Sequence, residues 1–147
     1  MYKLAKGIKQ DPARRWALPD RVFFACGACH ILAYAFLEKY PDRGFSPLWM
    51  KPAEGFTGNH IFVIHGRTVF DYHGYSDRHA FLAHTNKKSN LWWPGWHAQL
   101  LPLPRHVLIS ETESRKLDGL WLREPKQFLQ DALPRARVYL DRFPAPE

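Results

Sequence analysis

The sequence predicts an α+β fold, with one buried central helix packed on an antiparallel β-sheet of about four to six strands and further helices toward the C-terminus. Three observations predict it. The run Ala28 to Tyr40 is apolar on nearly every side and contains no Gly or Pro, as a helix surrounded by core must be. The stretch His60 to Asp71 reads as two strands joined at Gly66-Arg67, a β-hairpin. Beyond Ser110 the pattern turns helical again, which separates helices from strands along the chain.

The 147 residues fit one domain, 1–147, with a core of ordinary size. Apolar residues make up 46% of the chain and aromatics 15%, the composition of a globular protein. No stretch approaches the ~18 to 20 apolar residues of a membrane helix. The N-terminal Met1-Tyr2-Lys3-Leu4-Ala5-Lys6-Gly7 is followed by neither an apolar segment nor a small-residue cleavage site, so a cytoplasmic protein without a secretory leader is expected. The net charge of +7 raises a nucleic-acid reading. The basic residues are scattered, however, and no nucleic-acid motif accompanies them, so the charge is read as a solvated basic surface and a nucleic-acid partner is not expected.

Taken in order, residues 1–20 hold Gly7, Pro12 and Pro19 among basic residues and read as an irregular or partly helical lead-in to Val22-Phe23-Phe24. The helix from about Gly27 to Tyr40 ends at Pro41-Asp42-Arg43-Gly44. Phe45 to Met50 is a strand candidate weakened by Pro47, and a loop follows to Gly58. After the hairpin, Ser76 reads as the cap of a helix that fades near Thr85-Lys88. Leu91 to Trp96 is a tryptophan-rich loop, and Val107-Leu108-Ile109 reads as a strand after Pro102 and Pro104. Ser110 and Glu113 have capping-box spacing, and helical patterns return at Pro125 to Leu133 and Arg135 to Phe143.

The chemistry concentrates in two places. The only two cysteines, Cys26 and Cys29, sit in Cys26-Gly27-Ala28-Cys29-His30 at the head of the central helix. A helix N-terminus lowers a thiol's pKa and a neighbouring imidazolium lowers it further, the condition for a nucleophilic thiolate near neutral pH. A two-residue turn at Gly66-Arg67 pairs Val63 with Phe70, Phe62 with Asp71 and His60 with His73, and sets His60, Phe62, Ile64, Val69, Asp71 and His73 on one face. His60 and Asp71 are then diagonal neighbours within side-chain reach. If the helix packs on that face, Cys29 lies beside His60, giving a nucleophile, a base and an orienting carboxylate.

Cys26-Gly27-Ala28-Cys29 resembles the Cys-Gly-[Ser/Ala]-Cys stretch of papain-like cysteine proteases, in which the second cysteine is the nucleophile at the head of a buried helix. The order cysteine, histidine, aspartate, with the last two on successive strands, is also similar to transglutaminase-like proteins and arylamine N-acetyltransferases. The resemblance implies a papain-like core over about 22–75 with an extension over about 76–143. It implies Cys29 as nucleophile, His60 as base and Asp71 as orienter, with Cys26 the second choice of nucleophile. The implied activity is that of a cysteine hydrolase or acyltransferase acting on a peptide, protein or small amide or ester, with no cofactor. The chain departs from the papain pattern at His30, where an aromatic follows the nucleophile, and at Phe23, where a glutamine completes the oxyanion hole.

Other readings compete. Cys-x-x-Cys-His is the c-type haem attachment signature, but no export signal accompanies it. Cys26 and Cys29 with two histidines, His60 and His73 being the best pair, would make a zinc site in a non-catalytic domain with a basic partner-binding surface. A thioredoxin-type redox pair lacks its βαβ context. His79, His84, His97 and His106 have no partners by spacing and are read as surface or cap residues.

Overall fold

The structure, a computed structural model, describes residues 2–147 and has an α+β architecture. Two short helices, α1 (Pro12–Trp16) and α2 (Asp20–Ala25), precede the central helix α3 (Cys29–Lys39). Strands β1 (Ser46–Pro52), β2 (His60–His65), β3 (Thr68–Asp71) and β4 (Gly74–Asp77) follow, then α4 (Arg78–Trp92), β5 (Ala98–Pro102), α5 (Glu111–Arg115) and α6 (Ala132–Leu140). The five strands form one antiparallel sheet in the order β4-β3-β2-β1-β5.

Helix α3 buries seven of its residues, Ile31, Leu32, Phe36 and Leu37 among them, as its all-round apolar character requires. It lies between the sheet face bearing Trp49, Ile61, Val63 and Phe70 and the buried side of α6, with Ala136, Tyr139 and Leu140. Phe36 stacks on Phe70 at 4.6 Å between ring centroids. The opposite sheet face carries Met50, Phe62, Ile64 and Val69, covered by Phe81 of α4 and by Trp96. The sheet thus separates two apolar clusters.

Several elements differ from the sequence-based expectation. The segment weakened by Pro47 is β1, an inner strand between β2 and β5. Pro47 and Pro52 fall at its two ends, where a missing N–H costs the ladder least. Ser76 belongs to β4, paired with Val69, and the cap of α4 is Asp77, whose carboxylate accepts from the Ala80 N–H. That helix does not fade at 85–88 but runs to Trp92, since nothing before Pro94-Gly95 interrupts it. Val107-Leu108-Ile109 is not a strand: Arg105–Ile109 is a 3₁₀ turn that drops Val107 and Leu108 into the core, and the strand lies earlier, at Ala98–Pro102. Pro125–Gln127 forms only a 3₁₀ turn, and Asp131 restarts the chain as α6. The Ser110 cap holds, its hydroxyl accepting from the Glu113 N–H. No helix among the described residues is long and apolar enough to cross a membrane.

The two ends of the chain are tied together by Arg135 of α6. It donates to the Asp20 carboxylate at 2.8 Å and to the carbonyls of Trp16 and Leu18, while its guanidinium stacks on Phe23. Hydrogen bonds to a half-buried charged group contribute more than neutral ones. Arg135→Ala is therefore expected to lower stability by about 2 to 3 kcal/mol, read as a fall in the urea unfolding midpoint at unchanged slope.

Candidate active site

Cys29 is the first residue of α3, His60 the first of β2 and Asp71 the last of β3. The β2–β3 register is the one the turn dictates, Val63 opposite Phe70, Ile64 opposite Val69 and His65 opposite Thr68. The ladder stops there. Phe62 with Asp71 and His60 with His73, the pairs expected next, are not part of it.

This corrects the expected packing. Helix α3 does not cover the face of the sheet that bears His60; it covers the other face, with Ile61, Val63 and Phe70, while Phe62, Ile64 and Val69 belong to the α4 side. The thiol meets the imidazole where the β2–β3 ladder ends, and Cys29, Ile61, Phe62, Asp71 and Tyr72 come together at that place. The three residues come together around the end of the sheet rather than across one face.

His60 Nε2 donates to Asp71 Oδ2 at 2.9 Å. That bond leaves Nδ1 as the nitrogen for the Cys29 sulfur, with which the imidazole also interacts. Asp71 accepts from the His73 N–H at 2.8 Å and from the His73 ring at 3.2 Å, and its side chain is 1% exposed. His73 thus braces the carboxylate that holds His60. Tyr72 sets its ring edge-on to His60 at 5.6 Å, and its own carbonyl accepts from the Tyr139 hydroxyl, pinning this corner to α6.

The electrostatics follow from these contacts. Burial alone would push the Cys29 thiol up, but its contacts with His30 and then His60, and the positive charge they bring, hold it at about 5. Burial would pull His60 down, yet the hydrogen bond to Asp71 and the contact with Cys29 raise it to about 9. Burial would likewise raise Asp71, but hydrogen bonds from His60 and His73 keep it well below the usual carboxylate range. Between about pH 5 and 9 the site therefore holds a thiolate, an imidazolium and a carboxylate. Cys26 behaves oppositely, burial pushing its thiol up.

The short linker between the cysteines is shaped by Gly27. Its φ of 100° lies in the left-handed region, and a Cβ placed there would sit 2.1 Å from the Arg15 guanidinium. Arg15 is itself buried, and its Nη2 donates to the Cys26 carbonyl. Gly27→Ala must strain the backbone and displace a buried cation. It is expected to cost more than about 1 kcal/mol of stability and to slow alkylation of Cys29, measured by mass spectrometry.

Sequence spacing assigns no role to two neighbours of the candidate site. His30 lies buried beside Cys29, its Nε2 donating to the Arg123 carbonyl at 2.6 Å while Nδ1 has no conventional partner. On an apolar helix it reads as one more core position. His84 is exposed, as its spacing suggests, and it also lines the cleft above Cys29, one turn after Phe81 and one before Lys88. His79, His97 and His106 are exposed and lie away from the cleft lining. Phe23, at the place of the papain glutamine, is 1% exposed and packed against Trp16 and Phe128, so it offers nothing to a substrate. The tryptophan loop divides: Trp96 is buried and donates to the Thr57 carbonyl, while Trp93 lines the cleft.

The cleft itself has a volume of about 980 Å³ and reaches Cys29, His60 and Asp71. Among the described residues no group of three or more His, Cys, Asp and Glu side chains is disposed to hold a metal ion. His60 and His73, the pair considered for zinc, both turn their ring nitrogens to Asp71. Comparison with protein families, curated proteins and solved structures finds no match for this chain.

Proposed function

We propose that this protein is a cysteine-dependent amide or ester hydrolase, or acyltransferase, working through a thioester on Cys29. One observation carries the reading: a thiol at a helix N-terminus whose imidazole partner is held by a buried carboxylate. The papain-like and transglutaminase-like resemblance of the sequence agrees with it. A metal-free thiol enzyme is favoured over the zinc reading because the histidines are engaged by Asp71.

In this reading the Cys29 thiolate attacks the substrate carbonyl carbon and forms the S–C bond, and the negative charge moves to the carbonyl oxygen. The Cys29 N–H, at the first position of α3 and without an acceptor among the described residues, is the donor best placed for that oxyanion. His60 gives its proton to the leaving nitrogen or oxygen as the C–N or C–O bond breaks, which leaves the thioester. Now neutral, His60 takes a proton from water, or from another acyl acceptor, as it attacks the thioester, and the thiolate departs. Asp71 fixes the ring so that the nitrogen facing sulfur carries each proton in turn.

The test is acylation by 4-nitrophenyl acetate at neutral pH. The reading predicts an acetyl adduct on Cys29 that hydroxylamine removes and that Cys29→Ala lacks. A protein that releases nitrophenol no faster than buffer and never carries the adduct contradicts it.

A further inference from the structure

The walls of the cleft above Cys29 are unusually cationic. Lys3, Lys6 and Lys9 of the N-terminal segment and His84 and Lys88 of α4 line it, and the Lys3 ammonium lies over the Trp92 ring at the end of α4, 5.0 Å from its centroid. None of these four lysines is in an ion pair among the described residues. Of the other lysines, Lys39 pairs with Asp141, Lys51 with Asp118 and Lys116 with Glu113, while Lys87 and Lys126 form no ion pair among the described residues. Among the described residues the one carboxylate lining the cleft is Asp71, and both its oxygens are engaged by His60 and His73. The positive field reaches the groups inside: after burial, it is Lys88, His73 and Lys87 that lower the proton affinity of His84, and Lys9 opposes the upward push of burial on Cys26.

A concave site walled by one sign of charge concentrates ligands of the other sign and orients them on entry. Solvation of a basic surface does not by itself explain four lysines without a carboxylate partner in the lining of the cleft that holds the thiol. We infer that the substrate is an anionic amide or ester, whose carboxylate or phosphate group lies between the N-terminal lysines and Lys88 while its carbonyl reaches Cys29. This deepens the thiol-enzyme reading and rests on it. Apolar surface from Phe81, Trp93 and Trp121 is present in the same cleft, so the part of the substrate between the anion and the carbonyl is expected to be apolar or aromatic.

The test uses two alkylating agents that differ in charge, iodoacetate and iodoacetamide, with the rate at Cys29 measured for each and the ratio compared with that of 2-mercaptoethanol. The ratio cancels the intrinsic reactivity of the thiolate. The inference predicts a preference for iodoacetate of at least ~10-fold at low ionic strength, which 0.5 M salt largely removes, salt of about that concentration shrinking the screening length to a few Å. The combined variant Lys3→Ala, Lys6→Ala, Lys9→Ala, Lys88→Ala should lose most of that preference, read as the ratio so that any change in thiolate reactivity cancels, and the matching Lys→Arg variant should retain it. If the quadruple alanine variant keeps the full preference, the selectivity comes from the His60 imidazolium alone; the anionic-substrate inference is then wrong and the thiol-enzyme reading stands. If Cys29 reacts with neither reagent at neutral pH, that reading falls with it. Succinate and inorganic phosphate as competitors separate the two anion types: protection by the first assigns a carboxylate, by the second a phosphate, and by neither overturns the inference.

Discussion

Cys29→Ala is expected to abolish ester turnover, a fall of at least ~10⁴-fold in kcat/KM, because a nucleophile and its base act as one unit and removal of either loses nearly the whole effect. Cys26→Ala should leave turnover within about threefold, the size of an indirect effect beside a loss of that order. The two thiols are three residues apart and both border the cleft, yet the helices treat them in opposite ways. Cys26 caps the C-terminus of α2, where the backbone dipoles present negative charge, and Cys29 opens α3, where they present positive charge. Burial raises the first thiol without an imidazole to offset it, whereas His30 and His60 overcome burial at the second. The assay is steady-state hydrolysis of 4-nitrophenyl acetate by the two single variants at matched fold content.

His60→Ala is expected to change the reactivity of Cys29 in opposite directions on the two sides of neutrality. With the His60 imidazole gone and His30 still in contact, the thiol rises from about 5 toward the free value of ~8.5, so at pH 6 the thiolate fraction falls by up to roughly 300-fold. A more basic thiolate is also more nucleophilic, with a Brønsted coefficient of ~0.45, which returns a factor of roughly 40. The net expectation is alkylation slower at pH 6, by up to about eight times, and faster at pH 9, by up to about thirty times, with a crossing between them. A cysteine that is merely buried, with no coupling to His60, would show no crossing when iodoacetamide rates of the two proteins are compared across pH. Ester turnover by His60→Ala should be lost on both sides of the crossing, because the proton donor to the leaving group is gone.

What the sequence revealed was what local physics decides. The all-apolar run opening at Cys29 could only be a buried helix, and the Gly66-Arg67 turn dictated the Val63–Phe70 register that the sheet shows. Cys29, His60 and Asp71 could be singled out because they bring three complementary groups to the head of that helix and the ends of those strands. What strand alternation could not decide was which apolar face α3 would take. Ile61, Val63 and Phe70 on one side and Phe62, Ile64 and Val69 on the other are equally apolar. The choice is made by long-range packing against α6 and the 3₁₀ turn bearing Val107 and Leu108. The end of the β2–β3 ladder before His60 is equally invisible to pattern, and it is what lets the thiol and the imidazole meet from opposite faces.

Two neighbours of the site carry no role by sequence spacing for the same reason. His30 and His84 lie on helices whose sequence marks them as a core position and a surface position, and only the tertiary fold turns one toward the Cys29 sulfur and the other into the cleft. The lysines at the mouth look in the sequence like solvated charge. Their convergence depends on an N-terminal segment and α4 that are far apart in the chain. Pro47 weakened a strand that the sheet nevertheless places between two neighbours, since its position near the strand end decides the cost rather than its presence.

The central claim is that Cys29 exists as a thiolate paired with the His60 imidazolium at neutral pH. The pH dependence of iodoacetamide labelling, resolved between Cys26 and Cys29 by mass spectrometry, measures it most directly. The account predicts that Cys29 labels with a midpoint near 5, while Cys26 labels only on the alkaline side. Labelling of Cys29 with a midpoint at or above the free-thiol value of ~8.5 would contradict it and leave the thiol a structural residue.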